Sequence, residues 1–207
     1  MALDLVELVA PGHTAVITSE VQGGVVGANS ALPELAEAAA PMIPNVARLC
    51  RAARVAGTQV VHCIAVRRAD GKGSNTNARL FLGVRKASVS LLPGSADAVV
   101  VPELGPEAGD LVLSRLHGLN PMAGTDLDPV LRNLGVSTIV VTGVSVNVAV
   151  TNLVMDAING GYQVVLARDA VTGIPRDYAD AVIDNTLSLL ATVTSTDAIL
   201  DAWERGR

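Results

Sequence analysis

The chain has 207 residues, half of them hydrophobic and 17% charged, which supplies ample material for one large core and excludes a disordered segment. Its 15 Lys and Arg against 20 Asp and Glu give a net charge of −5 with no basic stripe, so no nucleic-acid partner is expected. No run of about eighteen apolar residues escapes interruption by a charge, Gly or Pro, so neither a membrane span nor a membrane partner is expected.

Asp4 and Glu7 fall where a secretory leader needs a basic head and an apolar run. Cys50 and Cys63 show neither metal-ligand nor disulfide-framework spacing, so a reducing, cytoplasmic setting is expected. Short β-branched runs then alternate with amphipathic segments, the pattern of a parallel sheet covered on both faces. Residues 14–19 predict the first strand. After Pro44, the spacing of Val46, Leu49, Cys50 and Ala53 predicts a helix with Arg48, Arg51 and Arg54 on its other faces and Gly57 at its end. Residues 59–64 predict a second strand.

Residues 65–108 have weak periodicity and many Gly, Pro, Ser and Asn, and read as a long excursion that walls or covers a pocket. Its Arg67, Arg68, Lys72 and Arg79 serve as pocket groups or as solvated charges. Regularity returns with a strand over 110–114, a helix capped by Thr125 and closed at Gly135, and a strand over 137–142. A helix over about 146–159, a strand over 162–167, a helix over about 176–191 and a short strand over 192–194 complete the pattern. The reading is one three-layer αβα domain with a six-stranded parallel sheet spanning residues 1–207. With only four aromatic residues, the core is packed from Val, Leu, Ile and Ala.

In an open α/β sheet, ligands bind beyond the carboxyl ends of the strands. That rule selects Glu20 and Gln22 after the first strand, His62 and Cys63 at the second, and Arg115 and His117 at the third. After the fourth strand it selects Ser145, Asn147 and Ala149, in a turn entering a helix whose N–H groups are open to an anion or an oxyanion. Each has a plainer reading: Glu20 a loop acid, Arg115 its structural partner, Cys63 an inert thiol, His62 and His117 wall residues, Asn147 a first-turn residue. The three histidines are too scattered for a metal site, and no metal or cofactor is expected.

Ala15-Val-Ile-Thr-Ser-Glu-Val-Gln22, Gly124-Thr-Asp-Leu127, Leu131-Arg-Asn-Leu-Gly135 and Val140-Val-Thr-Gly-Val-Ser-Val-Asn-Val-Ala-Val150 carry a resemblance. It continues through Asp156-Ala-Ile-Asn-Gly-Gly-Tyr162 and Leu166-Ala-Arg-Asp-Ala170. Over nearly its whole length the chain resembles the isochorismatase-like (cysteine hydrolase) superfamily. The resemblance implies a Rossmann-like six-stranded parallel sheet, assembly as a homo-oligomer (dimer or tetramer), and a cis or strained peptide near Val144-Ser145.

Family members that hydrolyse amides use an Asp, a Lys and a nucleophilic Cys. By resemblance the Asp falls on Glu20 and the Cys on Ala149. The Lys falls on Arg115 when anchored on the preceding strand and on Leu116 when anchored on Gly124-Thr125. A methyl group cannot attack a carbonyl, so the thioester route is closed at position 149.

Isochorismatases proper also lack the cysteine and cleave a vinyl ether by protonation and water addition. The expected function is therefore cysteine-independent hydrolysis of a small carboxylated metabolite. Glu20 would be general acid/base and Arg115 anion holder, with Gln22, His62, His117, Ser145 and Asn147 contacting substrate. Burial would favour the protonated acid, whereas the fixed charge of Arg115 would favour the carboxylate. The alternative is a family member that kept the pocket and lost the chemistry, acting as a small-molecule binding or assembly module.

Overall fold

Alternate residues of the first strand, β1 (Thr14–Ser19), serve two different cores. The computed structural model describes residues 4–86 and 89–207. Val16 packs into one core with Val60, Val140 and Val165, whereas Ala15 and Ile17 pack into the other with Val61, Ile139, Val141 and Leu166. Opposite side-chain directions at successive strand positions produce this division, and burial on both faces explains why the strands are apolar throughout.

The other strands are β2 (Gln59–Ala65), β3 (Leu111–Arg115), β4 (Thr138–Val144), β5 (Gln163–Thr172) and β6 (Thr192–Thr194). They form one parallel sheet in the order β3-β2-β1-β4-β5-β6. The helices are α1 (Leu5–Leu8), α2 (Gly23–Val26), α3 (Pro33–Ala39), α4 (Ile43–Ala56), α5 (Arg79–Lys86), α6 (Leu127–Asn133), α7 (Thr151–Asn159), α8 (Arg176–Asn185) and α9 (Thr196–Arg205). Residues of α1, α3, α4 and α9 fill the Val16 core, and residues of α6, α7 and α8 fill the Ile17 core. The chain reverses its direction of travel across the sheet between β1 and β4, which opens a crevice at their carboxyl ends.

Four departures from the sequence reading have local causes. β5 runs five residues past its expected end at Ala167. A register shift against β4 carries the strand through Arg168 and Asp169, whose charges are met by Asp180 and Asp184 of α8 and by Thr196. Thr125 lies one residue before the N-cap Asp126 of α6, although its Oγ1 still accepts from the Leu127 N–H at 3.2 Å. The segment after α7's preceding strand begins as a π-type turn over Val146–Val150 before α7 continues it.

Finally, α9 was not anticipated. Ser195 caps it, accepting from the Ala198 N–H at 3.2 Å, and Ile199, Ala202 and Trp203 form its buried face. The Trp203 indole donates to the Val9 carbonyl at 2.8 Å, tying the last helix to the first. Within the 65–108 excursion the structure adds α5 and a short 3₁₀ turn at Pro102–Leu104, while residues 87 and 88 lie outside the described residues.

Candidate active site

The carboxyl ends of β1, β2, β3 and β4 border a cavity of about 260 Å³. Immediately after β1 the backbone enters the left-handed region at Glu20 (φ 55°), the only described non-glycine residue with positive φ. This conformation costs about 1–3 kcal/mol and persists where the surroundings enforce it, characteristically at functional sites. Here the Glu20 N–H is held by the Cys63 carbonyl at 2.8 Å, and the side chain forms an ion pair with Arg115, the last residue of β3.

Close contact between β1 and β4 sets the rest of the site. Gly143 has φ 101°, and a Cβ there would lie 2.2 Å from the Ser19 carbonyl oxygen, so no larger residue fits. The Ser19 hydroxyl donates to the Val144 carbonyl at 3.1 Å, and the Val144–Ser145 peptide is cis. Ser145, Asn147 and Ala149 then line the cavity from the π-type turn. The Ser145 carbonyl accepts from the N–H groups of Val148 (3.1 Å) and Val150 (3.0 Å), so these two are not open to an anion.

The polar atoms around the cavity are unevenly satisfied. Arg115 donates through Nη2 to Glu20 Oε1, while its Nε and Nη1 are buried without a hydrogen-bond partner. Its side chain is 6% exposed and that of Glu20 19%. Asn147 donates to the Ile174 carbonyl at 3.0 Å, leaving Oδ1 buried and unpartnered. Buried polar groups are normally paired, and leaving one unmade costs about 1–3 kcal/mol, more for a charged group. Both residues, Arg115 and Asn147, line the cavity.

Of the residues selected from sequence, the fold brings Glu20, Arg115, His117, Ser145, Asn147 and Ala149 to the cavity. His117 is exposed on its wall, and Leu116 also borders it, but Arg115 is the residue paired with Glu20. Two expectations are corrected. Gln22 is fully buried and does not border the cavity. Its amide accepts from the Ala65 N–H at 2.7 Å and donates to the Ala65 carbonyl at 2.9 Å, fastening the chain after β1 to the end of β2.

His62 is also fully buried and points to the α4 side of the sheet, away from the cavity. Its Nδ1 meets the Thr18 hydroxyl at 2.9 Å and its Nε2 meets Asp110 Oδ2 at 3.2 Å. Burial lowers His62 below the ordinary histidine value, outweighing the opposing pull of Asp110. Burial acting alone would raise Asp110. Hydrogen bonds from Arg54 and the Glu107 N–H, with the Arg54 charge, nevertheless hold it below the usual carboxylate range. Cys63 lies outside the cavity lining, and burial pushes its thiol up to about 12 against the opposing Arg115 charge, so it is no thiolate nucleophile.

Sequence reading missed the walls. Leu32 and Leu35 at α3, and Phe81 and Val84 on α5, border the cavity. The Leu80, Phe81, Val84 spacing on α5 was a detectable signal. Arg67 is not a solvated charge: it donates to the Val84 and Val89 carbonyls, both at 3.3 Å, holding the excursion over the site. Arg68, by contrast, is an exposed partner of Asp70.

The isochorismatase domain model matches residues 14–198. Ureidoacrylate amidohydrolase RutB of Pseudomonas savastanoi pv. phaseolicola is 29% identical over 203 residues, covering 90% of this chain and 82% of its own. A cysteine hydrolase structure from Pseudomonas syringae pv. phaseolicola superposes with a TM-score of 0.81 at 24% identity, covering all of both chains. An isochorismatase family protein from Desulfovibrio vulgaris superposes with a TM-score of 0.78 at 28% identity, covering 93% of this chain and 98% of its own. Sequence and fold thus agree over the strands that build the cavity, and the chain belongs to the isochorismatase family.

Proposed function

We propose that the protein hydrolyses a small carboxylated metabolite without forming a covalent bond to the enzyme. The observation that carries this reading is Arg115, a buried cation on the cavity wall with two unpartnered nitrogens beside a single carboxylate, Glu20. A substrate carboxylate completes the hydrogen bonding of the guanidinium, which presents donors in a planar fork and stays charged. Ala149, at the position that resemblance assigns to the family cysteine, contributes only a methyl group.

Glu20 then serves as the acid. In its protonated form it donates to the atom at which the scissile bond breaks. Water adds to the electron-poor carbon left behind and returns a proton to the Glu20 carboxylate. One water is consumed and the acid is regenerated. His117, Ser145 and Asn147 contact the bound molecule from the wall.

The competing reading, a binding or assembly module without turnover, draws on the ion pair itself, which occupies the Glu20 carboxylate. A panel of carboxylated amides, ureides and vinyl ethers separates the two, with turnover and thermal shift measured on the same samples. Turnover lost in Glu20→Gln supports the acid/base reading; binding without turnover across the panel supports the module. A stable adduct formed by an electrophilic substrate analogue and mapped to Cys63 would overturn both.

A further inference from the structure

We propose that the acid taken by this cavity carries one carboxylate on an apolar body about the size of a phenyl ring or a branched alkyl chain. The proposal rests on the reading that Arg115 holds the substrate's carboxylate. Two observations extend it: how many cations the cavity leaves available, and what its remaining wall is made of.

Arg115 and Arg67 are the arginines bordering the cavity among the described residues. Arg67 is committed, with Nη1 and Nη2 on the Val84 and Val89 carbonyls and its backbone N–H on the Leu91 carbonyl at 2.7 Å. Of the two, only Arg115 has buried nitrogens without a partner. Among the described side chains, a second carboxylate on the same ligand would find no second arginine with buried free nitrogens, and it would lie in the field of Glu20, where like charges repel.

The wall away from the ion pair is formed by Leu32, Leu35, Phe81, Val84, Leu91 and Ile174. Asn75, which also borders it, is spent on the Gly118 N–H at 2.8 Å and on Asn77. The buried unpartnered side-chain atoms left are Ser74 Oγ and Asn147 Oδ1, and the side chains of His117 and Ser145 border the cavity as well, few polar groups against the apolar wall. A strongly polar body would lose its water here without replacement, whereas an apolar one gains by leaving water. An apolar cavity of about 150 Å³ accepts a benzene molecule. The 260 Å³ here therefore has room for such a ring together with its carboxylate.

Isothermal titration of the full chain with acetate, phenylacetate, phenylacetamide and phenylmalonate tests the proposal. Phenylacetate is expected to bind about tenfold or more tightly than acetate, the scale set by burying one aromatic ring, and more tightly than phenylacetamide or phenylmalonate, which keep the ring and change the charge. Phe81→Ala is expected to weaken phenylacetate and leave acetate unchanged, and Arg115→Met to abolish binding of both. Equal affinity for acetate and phenylacetate, both lost in Arg115→Met, would overturn the apolar body while leaving the carboxylate reading intact. Phenylacetate affinity that survives Arg115→Met, or is matched by phenylacetamide, would overturn the carboxylate reading itself. No measurable phenylacetate binding at millimolar concentration would also overturn the proposal.

Discussion

The Arg54–Asp110–His62 cluster beneath α4 and the Glu20–Arg115 pair at the carboxyl ends of β1 and β3 are made from the same kinds of group. Both place an arginine against a carboxylate in a largely buried setting. In the first, Asp110 Oδ1 accepts from Arg54 Nε at 3.1 Å. Its Oδ2 accepts from Arg54 Nη2 at 2.7 Å and from the Glu107 N–H at 2.9 Å. Arg54 also reaches the Leu104 carbonyl at 3.3 Å, and His62 closes the network onto Thr18. In the second, one nitrogen of Arg115 is used and two are left without a partner, on a backbone turn that glutamate adopts only under constraint. The first cluster completes the hydrogen bonding of its carboxylate, and the second leaves two guanidinium nitrogens of a cavity-lining residue without a protein partner.

The sharpest way to break this contrast is to remove one carboxylate from each cluster. Glu20→Gln is expected to lower turnover by about 10²–10⁴-fold, the usual contribution of a positioned acid or base. Gln keeps an acceptor for Arg115 Nη2 but not the charge, so unfolding free energy should fall by about 1–3 kcal/mol. Asp110→Ala should do the reverse. Leaving Arg54 and His62 buried without their anion is expected to cost about 3–5 kcal/mol in urea unfolding, with turnover per folded molecule retained. If both variants lose stability equally, the two clusters do not differ in kind.

A smaller effect sharpens the same distinction from the ligand side. A bound carboxylate at a hundred times its dissociation constant should stabilise the wild type by about 2.7 kcal/mol, read as a rise in Tm. Arg115→Met should abolish that rise, and Asp110→Ala should keep it. The smallest expected effect is a pH slope. His62 is depressed in the folded chain, so the unfolded chain binds its proton first as pH falls. The stability of the neutral form is therefore present above the ordinary histidine value of about 6.5 and is lost progressively below it. His62→Asn should flatten the fall in Tm between pH 7 and 5. Asp110, held below the carboxylate range, withdraws its contribution only in stronger acid. An unchanged slope in His62→Asn would place the acid sensitivity elsewhere.

Much of the fold was legible because apolar runs and turn residues act locally. The strand over residues 14–19, the helix ended by Gly57 and the short last strand follow directly from spacing and β-branching. The strand-end rule also selected Glu20, Arg115 and the Ser145–Ala149 turn before any contact was known. It failed at Gln22 and His62 for one reason. Position near a strand end does not determine which face a side chain takes or whether its hydrogen bonds are already spent. Gln22 is consumed by both backbone groups of Ala65, and His62 points to the opposite face from Cys63 and Arg115. The walls from α3 and α5 escaped because a pocket lining gathers residues from segments far apart in the chain.

The amino-acid sequence by itself determined the doubly covered parallel sheet, since periodicity and turn chemistry are properties of neighbouring residues. It also determined that position 149 carries no nucleophile, because a methyl group has none to offer in any environment. Only the tertiary structure decided which acid and cation would meet and which polar atoms would be left unsatisfied. It alone decided, too, that their surroundings would be apolar. Those outcomes depend on distances between strands remote in sequence, and hydrogen-bond satisfaction is a property of the assembled neighbourhood rather than of any residue within it.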